Sequence, residues 1–304
     1  MSGPGLSGPV FLVVLLKGMK MKKGKLSEWA NEHPAAACFV LVLMFLVFRK
    51  GLFLIFRALP QTTGLRVLHE LLDVVWPFGM VVLFGKTDAY KRGGFFRTLI
   101  AGLGVIILSA VLFAMNVYSL SQEPGLEWYT LPMMALGVFT AFAVGFREES
   151  VFRGIAVNLL ADKYLKDRRG ILITTFAAAA FFGVMHMGNM VNGQSFAESV
   201  LQAVNAVFLG AVLVAVYLRG GNLWALMLIH GFYDMAVDVP ALLTKTYGAD
   251  IQTAMGTSKE ASEGTGTAGA YVILWTVYLL VTLFLLRRKK CGEIIERYDS
   301  YRGN

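Results

Sequence analysis

Two adjacent glutamates and a nearby arginine form the densest group of reactive side chains in the sequence. Glu148, Glu149 and Arg153 follow an apolar run that begins near Leu131. Residues four apart share one face of a helix, so Glu149 and Arg153 are spaced to form an ion pair. Glu148 projects about 100° away, toward a different neighbour. Such carboxylates serve as general bases, proton relays or partners in structural ion pairs.

Two histidines lie in later apolar segments. His186 ends one segment, and His230 lies within another with Asp234 four residues further on. A carboxylate beside an imidazole orients the ring and raises its basicity. Taken singly, His186 is more typical of a residue that caps an outer loop, so the joint pattern is what indicates a site.

These charges are unusual because they interrupt segments that are otherwise apolar. A charge at the centre of a membrane helix costs about 2.5 to 3.5 kcal/mol on insertion scales. Glu148, Glu149, Arg153 and Asp234 would together cost on the order of 10 kcal/mol if they faced lipid separately. They must be paired, hydrated or bound to something, and an ionisable cluster within a membrane indicates a functional site by default.

The composition places these segments in a membrane. The 304 residues are 56% hydrophobic and only 16% charged, with a mean hydropathy of +0.61, whereas soluble domains have about a quarter of charged residues. Apolar stretches of about 20 residues match the thickness of a bilayer. We therefore predict an all-α bundle of about eight transmembrane helices. The predicted spans are Ala35–Phe56, Leu65–Phe84, Phe95–Asn116, Leu131–Leu160, Gly170–His186, Ser199–Leu218, Asn222–Val237 and Ala268–Leu286.

The basic residues indicate an orientation rather than a nucleic-acid partner. The net charge is +8, but the Lys and Arg clusters lie at the ends of apolar stretches, which is the positive-inside pattern. The intervening loops, such as 118–130 and 187–198, contain no Lys or Arg. We therefore expect a multi-pass protein of the cell membrane with both termini in the cytoplasm, and no nucleic-acid binding.

The reactive residues are predicted to meet at one depth. With a rise of 1.5 Å per residue, Glu148 lies about 20 Å along its helix from the basic loop that precedes Gly170. His186 lies about 24 Å from that same side, and His230 about 13 Å from Gly221. All three positions fall in the middle or outer-middle of a hydrocarbon core roughly 30 Å thick, and helix tilt absorbs the remaining spread.

Three elements in this order resemble a known family. Glu-Glu-x-x-x-Arg starts at Glu148, Phe-x-x-x-His runs from Phe182 to His186, and a His-x-x-x-Asp element starts at His230. Together they resemble the CPBP family of type II CAAX prenyl proteases, also called Abi. The resemblance covers about Val144 to Val237, roughly a third of the chain. We therefore predict a protease-like core over 131–240. The apolar stretches place three spans before it in 1–130, and an outer loop, a last span and a basic tail after it in 241–304.

The resemblance implies hydrolysis of a peptide bond by an activated water molecule. Glu148 would be the general base and Glu149 would support it, while Arg153 would anchor the pair or bind a substrate carboxylate. His186 and His230 would position water and polarise the scissile carbonyl, or would bind a catalytic metal. Zinc needs three protein ligands and a water, which Glu148 and the two histidines would supply. Phe182 would support the site.

One position departs from the family pattern. Asp234 stands where the family commonly has Asn, and an ionised Asp cannot donate a hydrogen bond to an oxyanion. Asp234 would instead orient His230 or be a metal ligand. This weakens an oxyanion-hole assignment and leaves the role of the glutamates and histidines unchanged.

The implied substrate is a peptide or protein in the lipid bilayer. The resemblance suggests CAAX-type processing of prenylated C-termini, bacterial peptide maturation or bacteriocin self-immunity. An ion-coupled transporter and a non-catalytic membrane scaffold of the same fold are the alternatives. The segment from His69 to Asp73 lacks the second histidine of an H-E-x-x-H zinc motif, so we interpret it as a chance match. The segment from Gly256 to Gly269 is predicted to be a flexible outer loop.

Overall fold

The computed structural model describes residues 24–59, 63–245, 247 and 268–302. These residues are almost entirely helical, and the only strand-like pairing among them is an isolated bridge between Trp128 and Thr244. The predicted all-α, multi-pass architecture is confirmed. Most of the loop predicted from Gly256 to Gly269 lies outside the described residues.

Short turns connect most of the helices. Two 3₁₀ helices, Thr87–Lys91 and Met187–Asn192, and one π-helical segment, Phe152–Val157, lie between them. The α-helices are α1 (Lys25–Glu32), α2 (Pro34–Arg57), α3 (Thr63–Leu83), α4 (Phe95–Ala101), α5 (Leu103–Gln122), α6 (Leu131–Val151), α7 (Asn158–Tyr164), α8 (Arg168–His186), α9 (Phe196–Gly220), α10 (Leu223–Val237), α11 (Val239–Leu243), α12 (Ala268–Leu285) and α13 (Arg288–Arg302).

All eight predicted spans fall on helices, although not all of these helices satisfy the length and composition of a span. Five described stretches do so: α2, α5, α6 continued to Tyr164, α8 continued to Val191, and α9. A sixth is added if α12 and α13, which are bent by 67°, count as one span. α10 has only 15 residues, and α3 contains three charged residues. The total of eight spans, the orientation of the termini and the domain boundaries remain predictions.

The third predicted span, from Phe95 to Asn116, is broken at Gly102. α4 ends one residue before this glycine and α5 begins one residue after it. A Cβ atom at Gly102 would collide with the side chain of Ile229 on α10. The break therefore coincides with a close approach between the two segments, which hydropathy alone does not indicate.

Two glycines bring α6 and α10 into direct backbone contact. A Cβ atom on Gly145 of α6 would lie 2.6 Å from the backbone nitrogen of Gly231. A Cβ atom on Gly231 would lie 2.8 Å from the Cα of Phe142. Small residues at such crossings allow membrane helices to pack closely. This contact places the paired glutamates beside His230, which immediately precedes Gly231.

The helix that carries the glutamates changes its winding just after them. The amide of Phe152 reaches the carbonyl oxygens of both Glu148 and Glu149, and the chain is π-helical from Phe152 to Val157. The long helix predicted to reach Leu160 is therefore interrupted at the polar cluster. Single π turns inside α-helices are frequent at functional sites because they shift the direction of side chains.

Arg49 and Lys50 interrupt the first predicted span without breaking α2. The guanidinium of Arg49 lies 3.9 Å from the carboxylate of Asp73 on α3. Lys50 donates a hydrogen bond of 3.0 Å to the carbonyl oxygen of Val191. Each charge therefore has a polar partner within the bundle, which reduces the penalty for placing it in an apolar helix.

Candidate active site

His230 lies at the centre of the candidate site. Its Nδ1 donates a hydrogen bond of 2.7 Å to Oε1 of Glu149. Its Nε2 lies 3.9 Å from Oε2 of Glu148 and 3.5 Å from Oδ1 of Asp234. The two adjacent glutamates of α6 therefore approach opposite nitrogens of one imidazole, and the carboxylate four residues after the histidine approaches the same nitrogen as Glu148.

Glu149 is sealed inside the bundle with Arg153. Arg153 Nη1 donates to Oε1 of Glu149 at 2.8 Å, and neither side chain has exposed surface. Arg153 Nη2 also donates to the carbonyl oxygen of Gly210 on α9, at 3.1 Å. A guanidinium with these partners and no accessible surface anchors Glu149. In this arrangement it cannot reach a substrate carboxylate, which was the alternative role.

Phe182 connects the two histidines. Its ring meets His186 and His230 edge-on, with centroid distances of 4.9 and 6.0 Å. The guanidinium of Arg153 lies over the same ring, 4.6 Å from its centroid. Since Phe182 is buried, it supports these three side chains by packing and offers no open face to a substrate.

His186 is the less enclosed of the two histidines. Its Nδ1 donates to the carbonyl oxygen of Phe182 at 3.0 Å, which leaves Nε2 as the nitrogen that can bind a polar group. The rings of His186 and His230 both lie against the ring of Phe182. The structure therefore brings His186 into the same cluster, on its half-buried side.

A second polar group, absent from the sequence-based list of site residues, lies against Glu148. Arg147 forms an ion pair with Asp73 of α3 through Nη1 and Oδ2. Its Nη2 lies 3.8 Å from Oε1 of Glu148. Trp76 donates to the other Asp73 oxygen at 3.3 Å, and Arg49 approaches Asp73 from α2. Asp73 and Arg147 are each 3% exposed.

A signal for this group was present in the sequence. Asp73 lies within a predicted span, and Arg147 directly precedes the paired glutamates. The insertion penalty that singled out Glu148 applies equally to both residues. Asp73 was considered only as part of an incomplete zinc motif, so its value as a counter-charge for Arg147 was missed.

The geometry of the described residues does not form the predicted metal site. The expected ligands were Glu148, His186 and His230. Among the described residues, no three or more His, Cys, Asp or Glu side chains are grouped so that they could hold a metal ion. The Nδ1 hydrogen bonds of both histidines are typical of metal-bound imidazoles, but a catalytic zinc needs three grouped protein ligands. No reaction step is therefore assigned to a metal, and zinc or another divalent metal remains a prediction.

The two glutamates differ in what they can do chemically. Glu149 is held by a cation and by an imidazole, with no exposed surface. Glu148 retains a side-chain exposure of 9%, and its charged neighbours Arg147 and His230 lie 3.8 and 3.9 Å away, beyond hydrogen-bond distance. Of the pair, Glu148 is the carboxylate that is free to exchange a proton with a water molecule.

Comparison with known proteins agrees with the position of this cluster. Residues 128–236 match the family model described as type II CAAX prenyl endopeptidase Rce1-like. No curated protein and no solved structure matches the chain. The matched range includes all of α6 to α9 and most of α10, and therefore both glutamates, both histidines and Asp234. Asp73 lies outside it.

Proposed function

We propose that the chain, whose residues 128–236 match the type II CAAX prenyl endopeptidase Rce1-like family, hydrolyses a peptide bond inside the membrane with Glu148 as general base. The observation that carries this proposal is the pair of unequal carboxylates around His230. When two carboxylates in one site have different environments, they can take different roles in acid–base catalysis. Here the sealed residue is Glu149 and the accessible residue is Glu148.

The gap between Glu148 and His230 fits a nucleophilic water molecule. Oε2 of Glu148 and Nε2 of His230 are 3.9 Å apart, so one water molecule can contact both atoms at normal hydrogen-bond lengths. As the water oxygen bonds to the carbonyl carbon of the substrate, its proton passes to Glu148. That proton is then delivered to the amine nitrogen as the C–N bond breaks, which returns Glu148 to its ionised form.

The neighbouring residues position this reaction. Glu149 fixes the ring of His230 through Nδ1, and Arg153 holds Glu149 in place. We assign the positioning of the water molecule to Nε2 of His186, because donation by Nδ1 to a backbone carbonyl leaves Nε2 as a hydrogen-bond acceptor. Asp234 lies 3.5 Å from Nε2 of His230, which supports its role in orienting this histidine.

The substrate of this proposal is a peptide or protein segment in the bilayer. Glu148 and His186 lie on helices that are long and apolar enough to cross a membrane, and Glu148 keeps only a small exposed surface. A segment in the membrane is therefore the ligand best placed to reach it. CAAX-type processing, peptide maturation and self-immunity against a bacteriocin would each present such a segment.

Cleavage by the purified protein in liposomes tests the proposal. We expect two peptide fragments from a membrane-anchored peptide, with one atom of ¹⁸O in the new carboxylate when the reaction is run in H₂¹⁸O. Glu148→Gln should lose on the order of 10²- to 10⁴-fold in kcat, the usual contribution of a general base. Glu293→Gln, in an exposed ion pair of α13, is the matched control. Substrate-dependent proton flux without fragments would contradict the proposal and favour the transporter.

A further inference from the structure

The side of Glu148 away from His230 contains an arginine that does not bind it closely. Oε1 of Glu148 lies 3.8 Å from Nη2 of Arg147, while Oε2 lies 3.9 Å from His230. Arg147 instead makes its close ion pair with Asp73. The nearest cation to the proposed general base is therefore committed to another carboxylate, on a different helix.

The geometry leads us to infer that Asp73 is a positioning residue that holds Arg147 away from Glu148 and so keeps the Glu148 carboxylate available as a base. This inference rests on the proposed function of the same site. It extends the site to α3, which lies outside the range matched by the family model.

The physical reason is competition between two carboxylates for one guanidinium. Arg binds carboxylates through two parallel hydrogen bonds, which occupy their lone pairs and stabilise the ionised form. A carboxylate bound in this way is a poor acceptor for the proton of water. Glu149 is bound in this way, since it accepts a hydrogen bond of 2.8 Å from Arg153. Glu148 has no such close contact with Arg147.

Asp73 is itself held so that it can compete. Trp76, one helical turn later, donates to its Oδ1 at 3.3 Å. Arg49 lies 3.9 Å from its Oδ2. Both Asp73 and Arg147 are 3% exposed, so neither charge can turn to bulk water in exchange for its partner. If Asp73 lost its charge, Glu148 would be the closest remaining carboxylate among the described partners of Arg147.

A variant series separates positioning from a purely structural ion pair. We expect Asp73→Asn to lower kcat by roughly 10- to 100-fold, the range typical of residues that orient a reactive group, with KM within twofold of wild type. Asp73→Glu keeps the counter-charge and should restore most of the turnover. Adding Arg147→Gln to Asp73→Asn removes the released cation and should raise kcat above that of Asp73→Asn alone.

The outcomes are distinguishable. Each kcat is taken per folded molecule. In the double variant the buried charge of Arg147 is removed together with that of Asp73, and the guanidinium left without Asp73 is that of Arg49, whose side chain is 32% exposed. The double variant therefore provides a reading even if Asp73→Asn folds poorly. Unchanged kcat in Asp73→Asn, or a double variant no faster than the single one, would overturn the positioning role while the proposed function stands. A wild-type protein without cleavage would overturn the proposed function, and this inference with it.

Discussion

Glu148 and Glu149 are neighbours on one turn of α6, yet the bundle gives them opposite surroundings. Glu149 accepts hydrogen bonds from Arg153 and His230 and has no exposed surface. Glu148 faces Arg147 and His230 at 3.8 and 3.9 Å and keeps some exposure. The arginine four residues after the pair binds its glutamate directly, whereas the arginine immediately before the pair is bound by Asp73 instead.

Two identical side chains can have different tasks when their surroundings differ. Two carboxylates that are close in sequence share their chemistry, so only their environments can assign one as a support and the other as a base. The fully buried Glu149 fixes the imidazole of His230 through a hydrogen bond. Glu148 keeps a carboxylate oxygen near the same imidazole, with room for a water molecule between them.

The largest effect on folding should come from replacing Arg153, the buried partner of Glu149. Arg153→Met leaves Glu149 buried without its cation, and breaking a buried ion pair in this way costs about 3 to 5 kcal/mol. We expect a large loss of unfolding free energy, measured by SDS-induced unfolding in mixed micelles. Arg219→Met, which removes the exposed partner of Glu293, is the control and should change stability far less. An equal loss of unfolding free energy in both variants would contradict the complete burial of the ion pair between Glu149 and Arg153.

A smaller loss is expected where α6 meets α10. Gly145→Ala places a Cβ atom 2.6 Å from the backbone of Gly231, so the helices must separate, at a cost of about 1 to 3 kcal/mol for overpacking. Because the glutamates and His230 lie on these two helices, turnover should fall together with stability. Gly104→Ala on α5, where an added Cβ meets nothing within 4 Å, should leave turnover unchanged. Normal turnover in Gly145→Ala would contradict the need for this close contact.

Removal of metal ions should have the smallest effect. Since Glu148, His186 and His230 are not grouped as three ligands, we expect kcat/KM to stay within twofold after treatment with a chelator. A known zinc protease in the same detergent is the positive control. A chelator-sensitive activity that zinc restores, with one zinc per chain, would instead establish the metal predicted from the sequence.

The architecture and the central cluster could be predicted because their signals are local. Apolar stretches of sufficient length predicted the helices, and the penalty for a buried charge singled out Glu148 and Asp234. The spacing from Glu149 to Arg153 predicted an ion pair on one helix face, and these two residues do form one. Each of these conclusions needs only a few neighbouring residues.

The parts that were missed depend on contacts between distant segments. Asp73 and Arg147 are 74 residues apart, and no periodicity indicates that α3 would present its carboxylate to this point of α6. The break at Gly102 likewise coincides with the close approach of Ile229, on another helix. The sequence supplied unpaired charges and glycines, but their partners are set by tertiary packing.

The most direct test compares Glu148→Gln with Glu149→Gln in one preparation, with kcat and unfolding free energy measured for both. Glutamine preserves the shape of the side chain but cannot take up a proton from water. We expect Glu148→Gln to fold like the wild type and to lose its turnover. Glu149→Gln should be clearly destabilised as well, because Arg153 loses its counter-charge. Turnover near the wild-type rate in Glu148→Gln would contradict the assignment of Glu148 as the general base.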